Sequence, residues 1–359
     1  KICFRAYMKF KDGFIDLHTH TRYPCATYFN PKDIEDAAQN GGFNTLLAMP
    51  NSEIVIDNID NLKKAQLIDG GLSINVLRTA ALTKNLNGKK LVDYEKFIEN
   101  NIFIFTDDGY SLVDDNLADE AFKKIAKFGG AIFQHCEKNC HTNPGDIASN
   151  SVDENLTPIH TTEETDILIR DLKLVEKYGT RYHLQHISCS ESVEILKEAT
   201  KQNLPVTAEV TPHHLLKNIQ DIDITNSNYK MYPPLRSEDD RQSLIEGLKS
   251  EIIHVIATDH APHPESTKKT NFKLASRGVV GLESAFPMLY SSKIFTVKEL
   301  ESFLITNPKK ILEDIGYKID NKTLNNWKEC NKFFYTKSKY NNSVFEKNVT
   351  LVEKEILNV

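Results

Sequence analysis

The chain has 359 residues, of which 40% are hydrophobic, and its 44 basic residues are outnumbered by 50 acidic ones. This length suits one α/β barrel of about 250 residues with insertions, and the apolar content is enough for a large core. The acidic balance argues against nucleic acid or an anionic membrane as the main partner, because both call for clustered positive charge. No apolar run approaches the ~20 residues that span a bilayer.

The cysteine pattern and the N-terminal residues bear on the cellular compartment. The six cysteines are scattered through the chain, which is typical of reduced thiols rather than of a disulfide framework. Cys136 and Cys140 suggest a zinc site by their spacing, but no second such pair accompanies them, so we interpret the spacing as incidental. The N-terminal residues show no signal-peptide pattern. We therefore predict a cytoplasmic protein.

Eight short apolar runs predict β-strands, and helical patterns or long connections separate most of them. The predicted strands are Gly13–Leu17, Thr45–Met49, Leu72–Leu77, Ile102–Phe105, Ala131–Gln134, Tyr182–His186, Val206–Val210 and Ile252–Ala257. The clearest helical patterns are a stretch from Pro31 and the segments Ala118–Phe128, Glu163–Tyr178, Ser190–Lys201 and Asp239–Lys249. Repeated strand–helix alternation is typical of a (β/α)8 TIM barrel, which is the α/β fold class that we predict.

The barrel is expected to occupy residues 13–312. Residues 1–12 and 313–359 are expected to form a small, reduced β-rich subdomain from the two termini, with short strands near Lys332–Thr336 and Val349–Val352. The loop Ala261–Gly281 is long and polar, which favours a role as an active-site cover.

Residue types that bind metals recur at the ends of the predicted strands, where a barrel of this class carries its active site. They are His18, His20, Asn51, Asp108, His135, His186 and Asp259. His18 and His20 alternate on one strand, so they point the same way and form half of a site for a divalent metal. Two neighbouring histidines alone more often serve packing or lie on the surface, but this recurrence at strand ends favours a metal site.

The motifs that contain these residues run in order from about residue 13 to residue 312. They include DLHTHTR at 16–22, MPN at 49–51, FTDDG at 105–109, HCE at 135–137, HLQHIS at 183–188, EVTPHH at 209–214, PPLR at 233–236 and IATDHAPH at 256–263. GLE at 281–283 and NPKKIL at 307–312 complete the series. Together they resemble the amidohydrolase superfamily and, within it, the dihydroorotase family.

The resemblance implies a binuclear site with two Zn²⁺ ions that share a hydroxide. His18 and His20 would bind one ion and His135 and His186 the other, while Asp259 would complete the first site and act as the catalytic acid–base. Many members of the superfamily bridge the metals with a carboxylated lysine, but residues 102–109 contain no lysine. The pattern resembles the type in which an aspartate bridges instead. We favour Asp108, and Asp107 stays the alternative.

The resemblance also implies the substrate pair N-carbamoyl-L-aspartate and L-dihydroorotate, interconverted in pyrimidine (UMP) biosynthesis. Arg22, Asn51 and His263 would hold the substrate carboxylate. Arg22 shares the face of the two histidines, and its planar fork suits a carboxylate, although a surface salt bridge would also explain an arginine there. Asn51 could instead cap its loop, and a lone loop histidine such as His263 is usually a bystander.

Two other functions are compatible with the fold. A hydantoinase or allantoinase would share the barrel, but Arg22 and the segment Met49–Asn51 count against it. A catalytically silent homologue that serves as a scaffold for aspartate transcarbamoylase would typically lose metal ligands, and this chain keeps them. The resemblance leaves open both a homodimer and an association with that transcarbamoylase.

Several polar residues are left undecided or are assigned to structure. Tyr232 stands where the family usually has an asparagine that contacts the substrate ring, so either its hydroxyl or the backbone would supply that contact. Glu137 and Glu209 would orient metal-binding histidines or serve the structure, with equal weight. His183 is assigned to packing or to a hydrogen bond within its strand, and His213 and His214 are assigned to the shape of their loop. Three further histidines have no partner that we can name: His141, His160 and His254.

Overall fold

The structure, a computed structural model, describes residues 7–24, 29–151, 153–320, 325–330, 342–345 and 351–354. In chain order its strands are β1 Tyr7–Phe10, β2 Phe14–Thr19, β3 Phe43–Ala48, β4 Asn75–Arg78, β5 Ile104–Phe105, β6 Ala131–Gln134, β7 Ile147–Ala148, β8 Pro158–Ile159, β9 Arg181–Leu184, β10 Val206–Val210, β11 Val255–Ile256, β12 Asn325–Cys330 and β13 Leu351–Lys354. Its α-helices are α1 Pro31–Gly41, α2 Ile59–Asp69, α3 Tyr94–Glu99, α4 Asp115–Phe128, α5 Thr161–Tyr178, α6 Ser190–Lys201, α7 Pro212–Leu216, α8 Glu238–Lys249, α9 Glu265–Lys268, α10 Ala285–Ser292, α11 Val297–Glu301 and α12 Asn307–Ile315. A π-helical turn, Ser302–Thr306, joins α11 to α12.

Eight parallel strands close into the predicted barrel. One run of neighbours is β2-β3-β4 and the other is β5-β6-β9-β10-β11. Parallel bridges close the two gaps, one between Ala80 and Phe105 and one between Thr19 and His260. The predicted fold class is therefore confirmed, and all eight predicted strands are present. Strands β6 and β10 have the predicted bounds, and the other six have shifted ends.

The helices begin and end at the residues that local chemistry favours. In α1, Pro31 occupies the first turn, Asn30 caps the N-terminus by accepting from Lys32 N, and Gly42 ends the helix at φ 83°. Helix α4 begins at Asp115, three residues before the predicted start, because the side chain of Asp114 caps it. None of the helices in the described ranges combines the length and the apolar character that crossing a membrane requires.

The interior of the barrel is apolar towards the N-terminal ends of the strands. Ile15, Ile104 and Val255 pack there against Ile311 and Leu312 of α12. Hydrogen bonds hold this end together: the side chain of Asn307 donates to His254 O over 2.7 Å, and the hydroxyl of Tyr317 accepts from Phe103 N over 3.2 Å. Helix α12 thus covers one end of the barrel, and the opposite end, where the strands finish, carries the polar residues.

A small antiparallel sheet, β1-β12-β13, brings together strands near the two termini. Trp327 of this sheet is buried and stacks on Phe14 at a ring distance of 6.2 Å, so the sheet packs against the outside of the barrel. Residues 1–6 and the predicted strand 332–336 lie outside the described residues, and β13 begins two residues after the predicted Val349. The division into a barrel and a separate subdomain stays a prediction.

Candidate metal centre and active site

A cavity of about 260 Å³ lies at the C-terminal ends of the barrel strands. Most of the residues that the motifs nominate line it: His20, Arg22, Asn51, Asp108, His135, His186, Asp259 and His263. Because parallel strands of a barrel finish at one end, side chains far apart in sequence meet there.

The carboxylate of Asp108 lies among four imidazoles. Its Oδ2 is 3.3 Å from Nε2 of His18 and 3.3 Å from Nε2 of His20. Its Oδ1 is 3.4 Å from Nδ1 of His135 and 3.3 Å from Nε2 of His186. Each oxygen therefore faces its own pair of imidazoles, which is the arrangement expected of a carboxylate shared by two cations.

Asp259 lies on the side of this cluster that contains His18 and His20. Its Oδ1 is 2.9 Å from Nε2 of His20 and 3.5 Å from Nε2 of His18. Asp259 and His186 have φ angles of 48° and 31°, in a region that non-glycine residues rarely adopt. Such backbone strain persists where the surrounding structure enforces it, and it concentrates at functional sites.

Asp107, the alternative to Asp108, is turned away from the histidines. One of its oxygens accepts from Thr83 N over 2.9 Å and the other accepts from the Thr83 hydroxyl over 2.5 Å. Burial raises the pKa of Asp107 to about 7. The structure thus brings Asp108 into the cluster and ties Asp107 to Thr83, in the loop between β4 and α3.

The second ring nitrogen of His18 contacts a buried carboxylate. Nδ1 of His18 is 2.5 Å from Oε1 of Glu209, and Oε2 of Glu209 is 3.2 Å from Nε2 of His183. The other nitrogen of His183 is 2.7 Å from the hydroxyl of Thr207. His183 was expected to pack or to hydrogen-bond within its own strand. Its ring stacks on Phe133 at 4.3 Å, whereas both hydrogen-bond partners lie on the neighbouring strand β10. Glu209, left undecided by the sequence, orients His18.

The electrostatics of the cluster suit a cation. Burial would raise the pKa values of Asp108 and Asp259, but the charge of His18 and contacts with the imidazoles outweigh it, so both pKa values lie well below their usual range. Burial opposes protonation of His18, yet Asp108 and Glu209 raise its pKa well above the usual value. Burial lowers the pKa of His135 to about 4. Negative charge is therefore concentrated around His18.

Arg22 and His263, two of the predicted carboxylate-binding residues, lie side by side in the lining of the cavity. Nε of Arg22 donates to Pro262 O over 3.3 Å, and its Nη2 is 3.3 Å from Nε2 of His263. Nε2 of His263 also donates to Arg277 O over 2.6 Å, so a bond from this nitrogen to a substrate would have to replace that one. Burial, with the charge of Arg22, lowers the pKa of His263 to about 3, so the ring is neutral.

Asn51 contacts the metal cluster as well as the cavity. Its Oδ1 accepts from Nδ1 of His20 over 2.8 Å, which directs Nε2 of that ring towards Asp108 and Asp259. The amide nitrogen of Asn51 is not committed by this bond. The side chain can therefore orient His20 and still donate to a ligand.

Two buried polar residues at the site escaped the sequence reasoning. Nε2 of Gln185 is 3.3 Å from Nδ1 of His18. Asp16 accepts from Thr258 N and from the Thr258 hydroxyl, each over 2.7 Å, and so ties β2 to the residue before Asp259. Both lie inside the histidine motifs, and their polar side chains at positions predicted to be buried were the available signal.

The side chains assigned to structure have partners away from the cluster. Sγ of Cys136 is 3.2 Å from the hydroxyl of Tyr182, whereas Sγ of Cys140 accepts from Ser111 N over 3.1 Å. The two thiols thus serve different contacts, in agreement with an incidental spacing. His214 donates from Nε2 to Pro233 O over 3.2 Å, which holds the loop after β10.

The residues of the cluster fit a metal ion by their chemistry and by their unsatisfied atoms. Two overlapping groups have ligand atoms within 4.8 Å of one another: His18, Asp108 and His186, and His18, His20 and Asp259. Nε2 of His18 and Nε2 of His135 are buried and have no hydrogen-bond partner among the described residues. Imidazole and carboxylate are ligands that zinc prefers, so this donor set fits a divalent metal.

The chain is similar in sequence to known proteins that are named dihydroorotase, as the following matches show. Residues 10–192 match the family described as Dihydro-orotase-like. A dihydroorotase of Bacillus licheniformis is 40% identical over 306 residues, which cover 82% of this chain and 71% of that protein.

Solved structures share the architecture at low sequence identity. An L-hydantoinase (dihydropyrimidinase) from Arthrobacter aurescens has a TM-score of 0.78 and 19% identity, covering 98% of this chain and 83% of its own. A dihydroorotase from Saccharomyces cerevisiae, in complex with 5-fluoroorotic acid, has a TM-score of 0.74 and 18% identity, covering 97% of this chain and 99% of its own. At these identities the likeness shows the fold alone.

Proposed function

The chain belongs to the dihydroorotase family of cyclic-amide hydrolases, and we propose that the cluster around Asp108 is its active site. The reaction interconverts N-carbamoyl-L-aspartate and L-dihydroorotate in pyrimidine biosynthesis. In ring closure the terminal ureido nitrogen bonds to the carbon of the side-chain carboxyl group, a C–O bond breaks and water leaves. Hydrolysis is the reverse.

The family is metal-dependent, and for this chain we propose two zinc ions. His18, His20 and Asp259 would hold one ion, and His135 and His186 the other, with Asp108 shared between them. Metal bound there supplies Lewis acidity towards the amide carbonyl and towards water. The pairing of each Asp108 oxygen with two imidazoles is the observation that supports this assignment.

Asp259 is proposed as the residue that carries the proton. Its depressed pKa keeps the carboxylate ionised at neutral pH, and its side chain borders the cavity while His20 holds one of its oxygens. In hydrolysis it takes a proton from the attacking water and gives it to the leaving ring nitrogen. In ring closure the same carboxyl group acts in the opposite order.

Arg22 is proposed to hold the carboxylate that is present in both substrate and product. Its guanidinium borders the cavity, and burial lowers its pKa only to about 10, so it stays charged at neutral pH. A planar guanidinium forms two parallel hydrogen bonds with a carboxylate. Asn51 and His263, which also line the cavity, would complete this contact.

The competing functions receive less support. The hydantoinase likeness is one of fold alone, and all six ligand-type side chains named for the metals converge, which a silent scaffold has no need to maintain. The homodimer, the association with aspartate transcarbamoylase and the cytoplasmic location stay predictions.

Replacing Asp259 with asparagine tests the proposed function. Asp259→Asn keeps the shape of the side chain but cannot accept the proton, so we expect kcat to fall by about 10²- to 10⁴-fold, the range typical of a lost general acid–base. Activity should be measured in both directions with metal added. The matched control is Asp239→Asn on the exposed face of α8, which should be fully active. An Asp259→Asn protein with more than a tenth of normal kcat would contradict the proposed role.

A further inference from the structure

The active-site cavity has three polar walls, of which the proposed function uses two. One wall is the cluster around Asp108, and the second contains Arg22. The third contains Arg277 beside Tyr232, and both residues line the cavity. Arg277 is half-buried, and its charge interacts with the carboxylate of Asp146. Its remaining donors make it a second guanidinium that can bind a ligand in the cavity.

The guanidinium of Arg277 is only partly committed to the protein. Its Nη2 donates to Gly145 O, and its Cζ lies 5.4 Å from the centre of the Tyr232 ring. Its Nε is buried and has no hydrogen-bond partner among the described residues. Arg277 therefore places a charged, half-buried guanidinium at the edge of the cavity, with N–H groups that the described part of the protein does not bind.

Neighbouring groups hold the backbone of Arg277 in place. Arg277 O accepts from Nε2 of His263 over 2.6 Å, and the next residue, Gly278, donates from its N to Lys230 O over 3.0 Å. Gly278 has φ 109°, and a Cβ there would lie 2.7 Å from that of Ala261, so only glycine fits. The position of the guanidinium is thus set by the loop that also carries His263.

Tyr232 contributes its ring to this wall. Its hydroxyl is buried and interacts with the buried carboxyl group of Glu137. The ring of Tyr232 lies between Arg277 and His135, 5.2 Å from the latter. The ring provides an apolar surface beside the guanidinium, and the charged donor at this wall is Arg277.

The shape of dihydroorotate matches three walls. Its six-membered ring carries a carboxylate, the reacting carbonyl and a second carbonyl on alternate ring atoms, so the three groups point about 120° apart. With the carboxylate at Arg22 and the reacting carbonyl at the cluster, the second carbonyl points to the third wall. Resting on the proposed function, we propose that Arg277 donates to this second carbonyl oxygen, which lies between the two ring nitrogens.

This contact has a consequence for the chemistry as well as for binding. When the ring opens, the leaving nitrogen is conjugated with the second carbonyl, so negative charge develops on that oxygen. A guanidinium at this oxygen stabilises the charge more strongly in the transition state than in the bound substrate. Arg277 would thereby select cyclic ureides over cyclic amides that lack the second carbonyl.

The test combines Arg277→Met with a substrate analogue in which sulfur replaces the second carbonyl oxygen. Sulfur accepts hydrogen bonds weakly. In the unaltered protein, the hydrogen bond from Arg277 is therefore weaker with this 2-thio analogue than with dihydroorotate. A hydrogen bond from a charged donor corresponds to about 10- to 150-fold. We expect Arg277→Met to lower kcat/KM for dihydroorotate by about that factor and to lower it much less for the thio analogue. The oxo-to-thio ratio should then fall by about tenfold.

The ratio separates direct contact from a structural role. The two substrates differ in intrinsic reactivity, but this difference cancels when the oxo-to-thio ratio of kcat/KM is compared between proteins. A misplaced loop would lower kcat/KM for both substrates together. Arg22→Met serves as the comparison, since it should lower both rates and leave the ratio unchanged. Arg181→Met, at an exposed arginine, should change neither. An unchanged ratio in Arg277→Met would overturn the inference, whereas failure of the metal-loaded, unaltered protein to hydrolyse dihydroorotate would overturn the proposed function itself.

Discussion

Replacing Glu209 with glutamine should weaken metal binding without changing the fold. Glu209 holds Nδ1 of His18 at 2.5 Å, and although burial raises its pKa, the charge of His18 outweighs burial and lowers the pKa to about 2. The carboxylate therefore accepts the Nδ1 proton and leaves Nε2 of His18 as the ligand atom that faces Asp108 and Asp259. The glutamine keeps an acceptor but loses the charge.

The expected magnitude follows from this loss of charge. Charge-assisted hydrogen bonds are roughly twice as strong as neutral ones. Mutating a group that orients a metal-bound histidine typically costs about 10- to 100-fold in metal affinity, which corresponds to about 1.4–2.7 kcal/mol. Since the ligand atoms themselves remain, kcat at saturating metal should fall less than the affinity does.

The assay is competition for zinc against a chelator of known affinity, at one pH, followed by kcat with excess zinc. Glu176→Gln, at an exposed glutamate of α5, is the matched control and should bind zinc normally. If Glu209→Gln bound zinc as tightly as the unaltered protein, the contact with His18 would have no part in holding the metal.

Three further outcomes are expected. Asp108→Ala should lose metal and activity, whereas Asp107→Ala should keep its metal and lose stability. Metal analysis and thermal unfolding check both variants. A fully metal-loaded, active Asp108→Ala protein would refute Asp108 as the shared metal ligand. Arg22→Ala should raise KM for both substrates by at least about tenfold with little change in zinc content, since it removes charge-assisted hydrogen bonds; an unaltered KM would count against it. Hydrogen bonds from Lys32 and Ser73 lower the pKa of Glu35 from 4.5 to about 2. This stabilising contribution is complete above pH 4.5 and is lost as the pH falls towards 2, so the difference in unfolding free energy between the unaltered protein and Glu35→Gln should shrink over that range in urea titrations; a constant difference would contradict this.

Much of the architecture was accessible from the sequence because it depends on local patterns. The alternation of His18 and His20, repeated at other strand ends, predicted where side chains would converge. Strand lengths were less accessible: residues 252–257 were predicted as one strand, but β11 contains only Val255 and Ile256. The neighbouring strand β10 determines how many residues of β11 pair, and no local pattern records that partner.

The finer features of the site depend on contacts between distant residues. Neighbouring Asp107 and Asp108 point in different directions because Thr83, in another loop, binds one of them. Glu209 became interpretable only when His18, 191 residues away, was found beside it. Arg277 carried no signal, since a single arginine in a polar loop resembles any exposed one.

The most direct test of the account is zinc content together with conversion of L-dihydroorotate to N-carbamoyl-L-aspartate, on the same purified sample. We expect about two metal ions per chain, as in other two-metal hydrolytic sites, and turnover that depends on them. Absence of both metal and turnover after zinc has been added back would contradict it.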